Sequence, residues 1–248
     1  MCNHYSSDGA WRDEMGEFSE TRLPLFDLAR ARPNVQTHLY PGRTGEILVV
    51  DDDRLAAVAA HWRLIPRWWT ASSKDFGNKW RGCNNARGEG IASSRMFKDA
   101  LRNRCLIPAD AIFEYAAEPG PDGKKVEYEF RPAHGRPIWI AGLYERSSPA
   151  DGPMTTYAMV MTEAGPDALA IGHPRSPILL SPDQMAAWLD AGSKVEEFMA
   201  PPPSGTFRAA PAKRSRGPFR PATLRRPGCD NYVVNATCLC PKLVNDIA

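Results

Sequence analysis

Apolar and polar positions alternate along this chain mostly in the two-residue rhythm of strands. Val126-Glu127-Tyr128-Glu129-Phe130-Arg131 alternates cleanly and predicts a half-buried strand. Pro137–Glu145 (PIWIAGLYE), Thr155–Thr162 (TTYAMVMT) and Gly45–Val50 are more continuously apolar and predict deeper strands, with a short one at Arg104–Ile107. Helical spacing is rarer. Over Ser94–Arg104 it puts Met96, Phe97, Ala100 and Leu101 on one face. Ser181-Pro182-Asp183-Gln184 is a helix start, with Ser as cap, Pro at the first position and Gln three residues after the cap. That helix runs to Asp190 and ends at Gly192, and Ser193–Glu196 looks like a second capping box. Arg54–Ile65 is ambiguous, because its alanines favour helix while Trp62–Pro66 resembles a strand end. Residues 200–228 are rich in Pro, Ala and Arg, with seven basic residues and no acid, and predict a loop or linker. Tyr232-Val233-Val234 could then return a strand to the body. Mixed strands and helices without regular alternation predict α+β architecture: one domain over residues 1–248, with an excursion at about 200–228.

Composition narrows the function. A chain of 248 residues, 43% hydrophobic and 24% charged, carries a packed core, and global disorder is excluded. The 23 prolines favour loops and strand edges over a helical bundle. A net charge of +2 excludes a uniformly basic coat, yet the charge lies in blocks. Residues 61–105 hold 10 basic and 3 acidic side chains, interleaved with Trp62, Trp68, Trp69 and Trp80. Cations beside flat rings suit single-stranded nucleic acid; core tryptophans beside a solvated basic face would give the same composition. No apolar run approaches the ~20 residues of a membrane span. The start, Met1-Cys2-Asn3-His4-Tyr5, is no secretory signal. These readings predict a cytoplasmic protein with six reduced thiols.

Cys2 carries the most distinctive chemistry. Removal of Met1 would leave an amine and a thiol two carbons apart on one residue. At their ordinary values about a tenth of the amine is neutral at pH 7 and a few per cent of the thiol is thiolate. An aldehyde can form a Schiff base with the amine, and the thiol can then close a five-membered thiazolidine. The alternative is an ordinary cysteine on a frayed terminus. Cys83 and Cys105 lack metal spacing, and Cys229, Cys238 and Cys240 lack paired knuckles, so no metal and no cofactor are expected.

Five further segments accompany Cys2 in order: Trp62-Arg63-Leu64-Ile65-Pro66-Arg67-Trp68, Asn84-Asn85-Ala86-Arg87-Gly88-Glu89, Arg104–Asp110 with Phe113-Glu114-Tyr115, Ala141–Glu145, and His173-Pro174-Arg175 through Leu180. Together they resemble the SOS-response-associated peptidase (SRAP) family. The resemblance implies an α+β fold with a curved, partly barrel-like mixed β core flanked by helices. It implies a protein that senses abasic sites in single-stranded DNA and crosslinks to them through Cys2 as a thiazolidine, shielding the lesion. It assigns Asn85 to hydrogen bonds around the site, Glu114 to proton movement and His173 to the abasic sugar. The Glu–His apparatus is also implied in crosslink reversal and in self-removal of Met1. Arg87 is assigned to a neighbouring phosphate, with Trp62, Arg63, Trp68 and Arg175 as further DNA-facing candidates.

Chemistry supports these roles: Schiff-base formation needs a proton acceptor and a donor, and a Glu flanked by Phe113 and Tyr115 can have its pKa raised enough to do both. The chain departs from the usual family pattern at Asn3-His4, Arg63, Ala111-Ile112-Phe113, Tyr115 and Ser176, and lacks the usual asparagine near Gly165. A non-covalent single-strand-binding module of the same fold is the alternative, followed by a cysteine peptidase acting in trans. A monomer with no membrane association is expected.

Overall fold

The computed structural model describes residues 2–14, 25–26 and 37–212. The proposed strand at Tyr232–Val234, the basic stretch from residue 213 onward, and Cys229, Cys238 and Cys240 lie outside the described residues.

Fourteen strands and four short α-helices are present among them. In chain order they begin β1 (His4–Ser6), α1 (Trp11–Glu14), β2 (Leu25–Phe26), β3 (His38–Leu39), β4 (Thr44–Asp51), β5 (Arg54–Trp62), α2 (Ser73–Lys79) and β6 (Asn85–Arg87). They continue β7 (Arg104–Ala109), β8 (Ala111–Pro119), β9 (Lys125–Pro132), β10 (Ile138–Ser147), β11 (Met154–Glu163) and α3 (Pro166–Leu169). The last are β12 (Arg175–Pro177), β13 (Leu179–Leu180), α4 (Pro182–Leu189) and β14 (Phe207–Pro211).

Five strands close on themselves. β5 pairs with β4, β4 with β7, β7 with β10 and β10 with β11, all antiparallel. A short parallel pairing, Thr156↔His61 and Tyr157↔Trp62, joins β11 back to β5. The fold is thus α+β, built on a five-stranded barrel with β2, β6, β12 and β13 attached. A second sheet runs β14-β9-β8-β1-β3.

The near-continuous apolar runs follow from this closure, because both faces of each barrel strand are covered. On β10, Ile138 and Ile140 pack with Ile107, Met159 and, from the second sheet, Phe130. The alternate residues Trp139, Ala141 and Leu143 pack with Met185 and Trp188 of α4. Where strands crowd most, a side chain does not fit: a Cβ on Gly142 would lie 2.6 Å from Cys105 Sγ and 2.7 Å from Ile107 Cδ1.

The strands expected at 126–131, 137–145, 155–162, 45–50 and 104–107 are all present, extended by a few residues. The helix at Ser181 starts with the expected reciprocal cap. One ambiguity is resolved and three expectations need correction. Arg54–Trp62 is a strand, entered through Asp52 and Asp53, both at positive φ, in a two-residue hairpin turn. Ser94–Arg104 forms no α-helix but a 3₁₀ turn at Lys98–Arg102. Its apolar residues serve different clusters: Met96 packs on Ile65, Phe76 and Cys83, and Leu101 on the α4 core. The second capping site falls one residue late, with Glu197 reaching back to the Lys194 N–H before a 3₁₀ turn at Val195–Phe198. Finally, Phe207–Pro211, inside the expected loop, is an edge strand on β9, held by Phe207 edge-on to Phe130.

Gly142→Ala is expected to destabilise the protein by about 1–3 kcal/mol through overpacking. Ile107→Val in the same chain should recover part of that loss, which urea unfolding midpoints will show.

Candidate functional site

β1 is three residues long, and all three are buried. It pairs antiparallel with β8 (His4↔Phe113, Tyr5↔Ile112, Ser6↔Ala111) on one side and with β3 on the other. Tyr5 anchors it in the core: its hydroxyl lies 2.5 Å from that of Tyr157, and its ring meets Trp62 edge-on at 5.0 Å. This brings Cys2 to a position with no exposed surface.

Two adjacent asparagines hold Cys2. Asn85 Nδ2 donates to the Cys2 carbonyl at 2.5 Å, and Asn84 Nδ2 donates to the same oxygen at 3.1 Å. Asn84 also reaches Asn3 Oδ1 at 3.2 Å. Their backbone is fixed by parallel pairing of β6 with β11, Met159↔Asn85. The Asn84 carbonyl accepts the Trp62 indole N–H at 2.9 Å and the Met159 N–H at 3.0 Å.

Glu114, next to Phe113 on β8, lies against the Cys2 thiol and is 6% exposed. Its Oε2 is 3.0 Å from His173 Nε2. His173 sits in the loop between α3 and β12, entered through Gly172 at φ +72°. A Cβ on Gly172 would lie 2.8 Å from Ala117 Cβ at the far end of β8, so glycine is needed for both backbone angle and space. The Ala117 N–H donates to the Ile171 carbonyl at 3.0 Å, tying this loop to the strand that carries Glu114.

Hydrogen-bond roles at His173 fix a proton. Nδ1 lies 2.8 Å from the Arg175 carbonyl, which can only accept, so Nδ1 carries hydrogen. Nε2 therefore faces Glu114 Oε2 either as a protonated imidazolium or as an acceptor from a protonated carboxyl. In both cases one proton lies between the two groups. Glu114 Oε1 is buried and makes no hydrogen bond among the described residues.

Burial, and then the charge of Glu114, push the Cys2 thiol well above its ordinary value. The sequence-based expectation of a few per cent thiolate is therefore corrected: this thiol is held protonated, and donates to the His4 carbonyl at 3.4 Å.

The four chemical candidates, Cys2, Asn85, Glu114 and His173, come together. The DNA-facing candidates divide. Arg87 is exposed on β6, beside a depression of about 300 Å³ that Asn85, Glu89 and Phe97 also line. Arg175 is a quarter exposed and ion-paired to Glu89 at 2.6 Å. Trp68 is half-buried with the Arg95 guanidinium 5.0 Å over its ring. Arg63 is half-buried and lies so close to Gly77 that a Cβ there would sit 2.5 Å from its Nη1. Trp62 is corrected outright: its ring is fully buried and stacks on Tyr157, so it presents no face to a base. It acts on the site by aiming Asn84. The sequence reading missed Asn84 as a holder of Cys2, although the Asn84–Asn85 doublet was its signal. It also missed His4 and His38, whose Nε2 and Nδ1 lie 2.8 Å apart beside β1.

The family model described as "SOS response associated peptidase (SRAP)" matches residues 1–215. Among curated proteins, the chain is 29% identical over 230 residues to the abasic site processing protein YedK of Escherichia coli, covering 88% of this chain and 94% of that one. It is 26% identical over 202 residues to the abasic site processing protein YoaM of Bacillus subtilis, covering 80% and 83%. A solved protein from Bordetella bronchiseptica superposes with a TM-score of 0.65 at 25% identity, covering 86% of this chain and all of that one. One from Bacteroides thetaiotaomicron shares the fold with a TM-score of 0.67 at 18% identity, over 86% of this chain and 93% of its own.

Replacing Glu114 with Gln removes the negative charge beside Cys2 but not the burial. The Cys2 thiol should then titrate at lower pH than in the wild type, while staying above its ordinary value. Thiolate ultraviolet absorbance against pH, with Cys2→Ala as the blank, measures both.

Proposed function

The chain belongs to the SOS response associated peptidase family, and from that premise we propose that it processes abasic sites in single-stranded DNA by capturing the ring-opened aldehyde on Cys2. The observation that carries this reading is the pairing of a gripped Cys2 carbonyl with a Glu114–His173 couple at the thiol. Abasic-site processing is the stated role of the curated relatives.

Met1 must leave first, freeing the Cys2 amine. That amine attacks the aldehyde carbon, and the carbinolamine loses its hydroxyl as water to give an imine. The step needs a proton removed from nitrogen and a proton delivered to oxygen, which a couple holding one mobile proton can supply. The thiol then adds to the imine carbon. Its hydrogen leaves as the C–S bond forms, with Glu114 as acceptor, and the nitrogen ends as a ring amine. The sum is one aldehyde plus one terminal cysteine, giving one thiazolidine and one water.

The raised thiol sets the order of events. A protonated sulfur is a poor first nucleophile, so the amine opens the reaction and sulfur enters once the electrophilic imine lies beside it. Exposed Arg87 serves a flanking phosphate through its planar fork. Arg175 can do the same only by exchanging its Glu89 partner. A single strand is the natural substrate, because reaching the buried Cys2 requires an unstacked nucleotide with no complementary strand competing for it.

Intact mass after incubation with a single-stranded oligonucleotide carrying one abasic site tests this reading. The expected product lacks Met1, carries the oligonucleotide minus one water, survives denaturant and is absent in Cys2→Ala. Glu114→Gln should form it more slowly by about 10²-fold. A complex that forms but dissolves in denaturant under every condition would instead favour a non-covalent binding module.

A further inference from the structure

Beside Cys2, on the strand that carries it, lies a chain of titratable groups that the proposed chemistry does not use. His4 is 6% exposed, and its ring is sandwiched between Phe113 at 3.9 Å and Tyr40 at 4.3 Å. Its Nδ1 lies 3.1 Å from Glu127 Oε1 on β9. Its Nε2 lies 2.8 Å from Nδ1 of His38, an exposed residue on β3. Both ring nitrogens of His4 are thus engaged, and they tie β1 to β3 on one side and, past β8, to β9 on the other.

The protons of this chain can be counted. Glu127 as carboxylate only accepts, so His4 Nδ1 carries hydrogen. Neutral His4 then accepts at Nε2 from His38 Nδ1–H, and every donor is matched. One further proton is tolerated: His4 Nε2–H can donate to a His38 whose hydrogen has moved to its outer nitrogen. A second is not. With both rings charged, two N–H groups would point at each other across 2.8 Å.

We propose that the His4–His38 pair is a positioning device that holds β1, and with it Cys2, while it carries at most one extra proton, and that releases β1 when both rings are charged. The groups facing His4 fix the direction. Burial and His38 resist charge on His4, while Glu127 and Glu129 of β9 favour it, and burial is the largest effect, lowering His4 below its ordinary 6.5. The folded chain therefore resists a proton that the unfolded chain accepts freely. This contribution to stability is complete above about pH 6.5 and is lost as pH falls below it. The proposal concerns how Cys2 is held and stands whether or not Cys2 meets DNA.

Cys2 has no exposed surface, so its alkylation reports release of β1. The test compares wild type with His38→Asn, whose side chain can still bond His4 but cannot take a charge. N-ethylmaleimide labelling of the N-terminal peptide is followed by mass spectrometry, and the ratio of the two proteins cancels the intrinsic pH dependence of the thiol. Between about pH 7.5 and pH 5.5 the wild-type to variant ratio should rise by about threefold. His38→Lys, whose fixed charge stands for the one tolerated proton and can donate to a neutral His4, should label slowly at about pH 7.5 but rise faster than wild type as the pH falls, because His4 alone then completes the doubly charged pair. Thermal midpoints should fall more steeply with acid in wild type than in His38→Asn. A labelling ratio independent of pH, with parallel melting curves, would overturn the proposal.

Discussion

Three residues of antiparallel pairing between β1 and β8 hold the site together. A chain terminus is the part of a fold most given to fraying, and a three-residue strand has little cohesion of its own. The pairing works because it is reinforced on every side. Tyr5 drives into the core against Tyr157 and Trp62. Asn84 and Asn85 both donate to the Cys2 carbonyl. His4 is stacked between two rings and bonded at both nitrogens. Because β8 is the partner strand, the same register that fixes Cys2 also fixes Glu114, one residue beyond the partner of His4. The Cys2 thiol and the Glu114 carboxylate are positioned by one piece of ladder.

The second constraint is a shortage of protons. Glu114 and His173 face each other with one proton between them, because His173 has committed its other nitrogen to the Arg175 carbonyl. A thiol held protonated by burial and by that carboxylate is inert to adventitious electrophiles. In the proposed reaction it becomes useful only after the amine has produced an imine within reach. In that proposal, storing sulfur in this form protects it before substrate arrives and orders the two bond-forming steps.

Legibility in the sequence followed the range of the interactions. The barrel strands were legible because closure covers both their faces, and PIWIAGLYE or TTYAMVMT carries that information locally. The start of α4 was legible because its cap is made by residues three apart. The turn before β5 was not, because Asp52-Asp53 takes a conformation more often written with glycine. Ser94–Arg104 failed because its apolar residues are pulled to two different clusters. At the site, Cys2, Asn85, Glu114 and His173 stood out by residue type and by resemblance. The burial of Trp62 did not, since the stack on Tyr157 is made across 95 residues of chain. Nor did the His4–His38 bond or the Arg175–Glu89 pair, which depend on strands and loops meeting in space.

The central claim is that both nucleophiles of Cys2 end on one carbon. An abasic oligonucleotide labelled with carbon-13 at the aldehyde carbon, mixed with the protein and followed by NMR, tests it most directly. The account predicts a saturated carbon resonance bearing one nitrogen and one sulfur, absent with Cys2→Ala. A stable imine resonance, or an unchanged sugar hemiacetal in the bound complex, would contradict it.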